Sequence, residues 1–310
     1  MTNASGVPFR TGRDIILCAD DFAISDGVSR GIAELAGARR ISATSAIVTL
    51  PGWSGHAHRL AQLRPLIAIG LHVNLTLGAP LGAMPALAPL GRLPSLGDIV
   101  RRAVLRRLDR AEIAAEIARQ LARFELATGV APDFIDGHQH VHALPVVRGA
   151  LLDALRERFP AAQRRALLVR DPADRAVAIW RRGGEVGKAL VIAVLSGGFG
   201  AAVRRAGFST NSGFSGVSAF DVASPFGQEL ARFFTAPGPC HLVMCHPGYP
   251  DAELARLDPH TERRRQELEA IMAADGIVAA IWRIDRRAPA GAMWPVRRTG
   301  TTAIDLERPA

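Results

Sequence analysis

A chain of 310 residues, 48% of them apolar, can bury a substantial core and falls in the range that one α/β barrel fills as a single unit. Its net charge of +9 would suit nucleic acid or an anionic surface. The cations are almost all arginine, however, with Lys188 the only lysine, and are scattered in pairs such as Arg39-Arg40 and Arg164-Arg165, so composition bias accounts for them and no nucleic-acid partner is expected.

No run of 18 apolar residues occurs, and Met1–Arg13 holds no apolar segment before a cleavage site, so neither a membrane span nor a secretory signal is expected. The chain has three cysteines, Cys18, Cys240 and Cys245, and no CxxC pair. That argues against a disulfide framework or a zinc ribbon and fits a reducing cytoplasm.

Short apolar runs alternate with helical patterns, which predicts βα units and a largely parallel sheet. Asp14–Cys18 reads as a buried strand, Ile24–Ala38 as a helix, Ser42–Val48 as a strand, Trp53–Leu63 as a helix and Leu66–Leu75 as a strand. Residues 78–98, rich in Gly, Pro and Leu, read as a long substrate loop over the barrel mouth. Asp109–Thr128 is the clearest helix: Asp109 and Glu112 make a capping box, Ile113, Ile117, Leu121 and Phe124 form one stripe, and Gly129 stops it. A strand starts at Phe134, and Pro145–Phe159 reads as a helix and Ala166–Arg170 as a strand. Residues 183–220 give no clear pattern. Cys240–Cys245 is a strand, Thr261–Ala274 a helix and Ile277–Trp282 a late strand. Residues 1–12 and 286–310 read as extensions flanking one domain over 13–285.

Four constellations stand at predicted strand ends, where parallel α/β folds place their active sites. Asp20-Asp21 puts two carboxylates side by side, which a cation would relieve; the bland alternative is a cap for the next helix. His72 ends an apolar run and could be a ligand or a hydrogen-bonded core residue. In Asp136-Gly137-His138-Gln139-His140-Val141-His142, three alternate histidines share one face if the backbone is extended, which concentrates a common metal ligand on one side. Pro247 and Gly248 expose His246 at a strand rim, as an acid or as a solvent-facing residue. Taken together, one carboxylate and two histidines make a three-ligand metal site with open positions, and the remaining Asp and His supply a base and an acid for hydrolysis.

This set of motifs resembles the YdjC-like carbohydrate deacetylases, the family of the chitooligosaccharide deacetylases (ChbG) and the hopanoid-associated HpnK proteins. The matching segments are Ala19-Asp20-Asp21-Phe22, Gly70–Thr76, Asp136–His142 and Met244–Gly248, spread over residues 13–284. Ala23 stands where the family usually has Gly. The resemblance implies a distorted (β/α) TIM-like barrel related to the NodB-type deacetylases. It implies that Asp21, His72 and His138 bind a divalent metal ion, magnesium or zinc, with Asp20 as general base and protonated His246 as general acid. His140, His142 and Arg170 would support the site or face the substrate. The implied reaction is deacetylation of a small N-acetylated sugar or chitooligosaccharide, releasing acetate. A glycolipid substrate of the HpnK kind and a non-catalytic sugar- or metal-binding relative are the alternatives, and a homodimer is allowed for.

Overall fold

A computed structural model of the chain describes residues 14–289 and 293–295. The elements follow the expected alternation. Strand β1 (Ile15–Phe22) leads to helix α1 (Asp26–Gly37), whose N-cap Ser25 accepts from Val28 N–H. Then come β2 (Ala43–Ala46), α2 (Trp53–Leu63), β3 (Ala68–Val73), α3 (Leu96–Val104), α4 (Arg110–Thr128) and β4 (Phe134–Gly137). A 3₁₀ turn over His138–Ala143 precedes α5 (Val147–Arg158) and β5 (Leu168–Val169). Three helices follow, α6 (Ala176–Arg182), α7 (Val186–Leu195) and α8 (Phe199–Arg205), before β6 (Phe214–Ser215). The chain continues through α9 (Phe226–Phe233), β7 (His241–Cys245), α10 (Leu254–Leu257), α11 (Thr261–Ala273) and α12 (Ile277–Ala280).

The seven strands of the described residues lie in one parallel sheet of order β5-β4-β3-β2-β1-β7-β6, curved into a TIM-like half-barrel with helices on its outer face. The late strand expected at Ile277–Trp282 is instead the short helix α12, and only Ile281 bridges to Ile15. An apolar run of six residues does not separate strand from helix by itself. Residues 96–104, at the end of the expected loop and just beyond it, form α3. The capping box is half made: Asp109 accepts from Ala111 and Glu112 N–H, but the Glu112 carboxylate is diverted to Ala86 and Leu87 N–H and ties the preceding loop to α4.

Strand alternation sorts the core in two. Ile15, Leu17 and Ala19 pack outward against the helices. Ile16, Cys18, Ala43, Ala68, Phe134, Leu168, Leu242 and Met244 fill the interior. Trp294, in the stretch read as an extension, is buried here, stacked on Trp282 and donating from Nε1 to the Ala166 carbonyl. Gly70 is required on the inner face of β3, because a Cβ there would stand 2.6 Å from the Phe134 ring. The remaining residues of the two expected extensions, 1–12 and the rest of 290–310, lie outside the described residues.

Candidate active site

Each interior row ends in a polar side chain. Reading every second residue along the strands gives Ile16-Cys18-Asp20, Ala68-Gly70-His72, Phe134-Asp136, Leu168-Arg170 and Leu242-Met244-His246. Apolar residues fill the barrel, and the last residue of each row stands at the C-terminal rim, the active-site end of parallel α/β barrels. Asp21 would point the other way in a regular strand. The β1–β2 register shifts between Ala19 and Phe22, and Asp21 takes a left-handed backbone (φ 67°). That irregularity brings Asp21 to the same side as Asp20. Ala23 is left-handed as well (φ 68°), which gives a physical reason for glycine at that position.

Asp20, Asp21, His72, His138, His140 and His246 line one cleft of about 800 Å³. Asp21 Oδ1 stands 2.9 Å from His138 Nδ1 and 3.3 Å from His72 Nε2, and one ligand atom from each of the three lies within 4.8 Å of the other two. The three side chains thus converge as a facial set, buried below and open to the cleft above. A carboxylate and two imidazoles are donors that suit a divalent metal ion such as zinc, and the group fits.

The surrounding charges reinforce that fit. His72 Nδ1 lies 2.6 Å from Asp136 Oδ1 and 3.0 Å from Ser45 Oγ, the kind of outer partner that orients a ligating imidazole. Burial works to lower the His72 pKa, but Asp136 and then Asp21 outweigh it and raise it to about 10. A site with this much negative potential favours a cation. Asp21 is held well below the usual carboxylate range: burial opposes this, and His138 and Arg264 override it. Arg264, from α11, donates from Nη2 to Asp21 Oδ2 at 2.6 Å and from Nε to Asp258 Oδ2 at 2.6 Å, which leaves Asp21 Oδ1 facing the histidines.

Asp20 is gripped by a fork. Arg170, fully buried, donates from Nη1 to Asp20 Oδ2 and from Nη2 to Oδ1, both at 2.6 Å, and its Nη2 also lies 2.5 Å from Asp136 Oδ2. Arg170 therefore orients Asp20 and does not line the cleft. Asp20, Asp136 and Cys18 also offer ligand atoms close together. Burial raises the Cys18 thiol well above its ordinary value, and Arg170 already supplies the positive charge there, so that group reads as a structural knot.

The histidine motif does not share one face. Gln139 and His140 adopt left-handed backbone (φ 53° and 60°) in the 3₁₀ turn, so the extended arrangement expected from the alternation is absent. His138 goes to Asp21. His140 lines the cleft edge-on to Phe214, and burial holds its pKa well below the ordinary imidazole value. His142 turns into the core, with Nε2 2.8 Å from the Arg170 carbonyl oxygen, so of the two roles expected for it the supporting one fits its position behind Arg170. His246 faces the cleft beside Phe220, and its backbone N–H donates to Glu267 Oε2 at 2.5 Å. Burial first, and Arg264 after it, push the His246 imidazole down to about 4 against the pull of Asp21, so it rests neutral near pH 7.

Sequence reasoning gave no role to Asp136, Ser45, Arg264 or Glu267. Asp136 could have been found from its place in the interior row after Phe134. Arg264 carried no local signal, since it lies 243 residues from the carboxylate it holds.

A protein-family model described as YdjC-like protein matches residues 14–275. A chitooligosaccharide deacetylase of Serratia marcescens is 40% identical over 133 residues, 43% of this chain and 52% of that protein. A carbohydrate deacetylase of Geobacillus stearothermophilus is 35% identical over 148 residues, 47% of this chain and 57% of that protein. The matched region thus spans about half the length of these curated relatives. A solved structure from Enterococcus faecalis V583, named for cellobiose-phosphate cleavage, superposes with a TM-score of 0.64 at 21% identity, covering 89% of this chain and 98% of that one, which shows a shared fold.

Proposed function

Because the chain belongs to the YdjC-like family, we propose that it is a metal-dependent hydrolase that removes the N-acetyl group of an amino sugar. The observation that carries the reading is the convergence of Asp21, His72 and His138 on the floor of a cleft, beside a second, oriented carboxylate, Asp20. In this reading the three hold a divalent ion, magnesium or zinc. Bound there, the ion would supply positive charge for the amide oxygen and make a neighbouring water easier to deprotonate.

The chain's own groups do the rest. Arg170 takes one lone pair of each Asp20 oxygen and the Ser45 hydroxyl stands 3.5 Å from Oδ1, so the remaining lone pair of Oδ2 can accept a proton from the attacking water. The hydroxide adds to the acetyl carbon, the C–N bond breaks, and the nitrogen takes a proton from His246. Because His246 rests neutral, the proton it delivers is loaded during turnover, and it equals the one Asp20 removed from water. The hydroxyl proton left on the new carboxyl group passes to the amine, so acetate and an ammonium leave and the balance closes.

A second reading of the substrate has its own observation. The wall facing the acid–imidazole floor is aliphatic, with Leu96, Val100, Val191, Ile192 and Leu195, and among the described lining residues Phe220 is the only Phe, Tyr or Trp. Such a wall suits an amino sugar carried on an apolar group better than it suits stacked sugar rings. Retention of Asp20 and His246 beside the three ligands favours turnover over binding alone.

The test is acetate release from N,N′-diacetylchitobiose and from an N-acetylglucosaminyl lipid, with zinc or magnesium added and with chelator. Metal-dependent release is the expected result, and the faster substrate separates the two readings. No release from either by the metal-loaded protein would end the proposal.

A further inference from the structure

Helix α7 is apolar but for Gly187 and Lys188, yet none of its residues is buried. Val194 is 79% exposed and Val191 is exposed beside it, while α6, packed on α7, presents Trp180 at 66% and Val177. Across the cleft mouth, α3 ends in exposed Val104 and Leu105. Arg148 joins the two regions: its Nη1 donates to the carbonyl of Gly197, just past α7, and the Arg106 charge after α3 acts on it. Residues 99–108 contain four arginines, and residues 186–205 contain Lys188, Arg204 and Arg205, with no acidic residue in either stretch. Arg101 is paired with Asp98 at 3.5 Å and Arg204 acts on Asp171, but exposed aliphatic side chains interleaved with a local excess of cations at the rim of an active-site cleft make an unusual surface for a free protein.

We propose that α7 and the end of α3 form a docking surface for an anionic lipid bilayer, which lays the mouth of the cleft against the membrane. The apolar side chains would enter the interface and the arginines would meet the lipid phosphates. The surface lies on the membrane and does not cross it. Val186–Arg205 is long and apolar enough to span by composition, against the expectation of no such segment, but it is broken at Ser196–Gly198, where Gly198 is left-handed (φ 77°). Helix α7 alone covers roughly 15 Å of a core about 30 Å thick. A second copy fits the surface poorly, because a symmetric contact would set the same arginines against themselves.

The inference is independent of the catalytic reading, since vesicle binding is measured without turnover. The purified chain is mixed with vesicles of phosphatidylcholine alone or with an equal share of phosphatidylglycerol, sedimented, and followed by tryptophan emission. Trp53, Trp282 and Trp294 are buried, so a blue shift reports Trp180, and Trp180→Phe should abolish it. The expected result is co-sedimentation with anionic vesicles and at least about tenfold weaker binding to neutral ones. The double variant Val104→Asp/Val194→Asp, at two positions outside the cleft lining, should lose binding by a similar factor with an unchanged circular dichroism spectrum. A wild-type chain that stays in the supernatant overturns the proposal. So does a double variant that binds as well as wild type, or a stable dimer in solution that these substitutions dissociate.

Discussion

Replacing Arg170 by methionine isolates the electrostatic knot under the site. The guanidinium is fully buried and makes three short contacts, two to Asp20 and one to Asp136, and Asp136 in turn holds His72. Burial works to raise the Asp136 pKa, but Arg170 first and His72 second hold it below the ordinary value. Methionine of similar reach leaves two buried carboxylates without that counter-charge. Removing one partner of a buried ion pair costs about 3–5 kcal/mol, chiefly because the other charge is stranded. Lysine keeps the charge but cannot fork, so Arg170→Lys should lose roughly half as much. Adding Asp20→Asn to Arg170→Met removes one stranded carboxylate, and the double variant should be less destabilised than the single costs sum to, by at least about 1 kcal/mol. The assay is urea unfolding at pH 7 for wild type, the two Arg170 variants, Asp20→Asn and the double variant. A methionine variant within about 1 kcal/mol of wild type, or strictly additive costs, would refute the reasoning.

Three further outcomes follow from the geometry. Asp20→Asn should lose acetate release by at least about a hundredfold while metal content is unchanged, because Asp20 is not among the three ligands; near-normal turnover would remove it as the base. Glu267, fully buried beneath His246, has its pKa raised by burial to about 7, so the stability it contributes is fully present below its unfolded value near 4.5 and is lost as pH rises through 7. Wild-type stability should therefore fall by about 3 kcal/mol relative to Glu267→Gln between pH 4.5 and pH 7.5, and parallel pH profiles of the two in urea would show the assignment to be wrong. Ala23→Gly should relieve a left-handed alanine and stabilise the chain by up to about 1 kcal/mol, offset in part by the freer unfolded backbone; a thermal melt showing a clear loss would mean the Ala23 methyl packs better than its backbone suffers.

Much of the site was legible because a barrel strand has period two. The rows ending in Asp20, His72 and His246 can be read from the sequence once the strands are placed, and so could those ending in Asp136 and Arg170. The three-histidine motif misled for the same reason: the period-two reading assumed extended backbone, and the chain leaves it at Gln139 and His140. The adjacency of Asp20 and Asp21 could be read as a bend, but not the bulge that makes it. Residues 183–220 gave no pattern because α7 is apolar on all sides without being core, so it has no amphipathic stripe to detect. Glu112 looked like half of a capping box and serves the loop instead, a tertiary demand that no local motif announces. Arg264 and Glu267 reach the site only through the packing of α11 against α1 and α9.

The most direct test is the metal content of the purified chain and of Asp21→Ala, measured by elemental analysis after dialysis against zinc and against magnesium. The account predicts about one divalent ion per wild-type chain and loss of most of it in the variant. A wild-type chain that takes up neither metal, or an Asp21→Ala protein that retains a full equivalent, would contradict it.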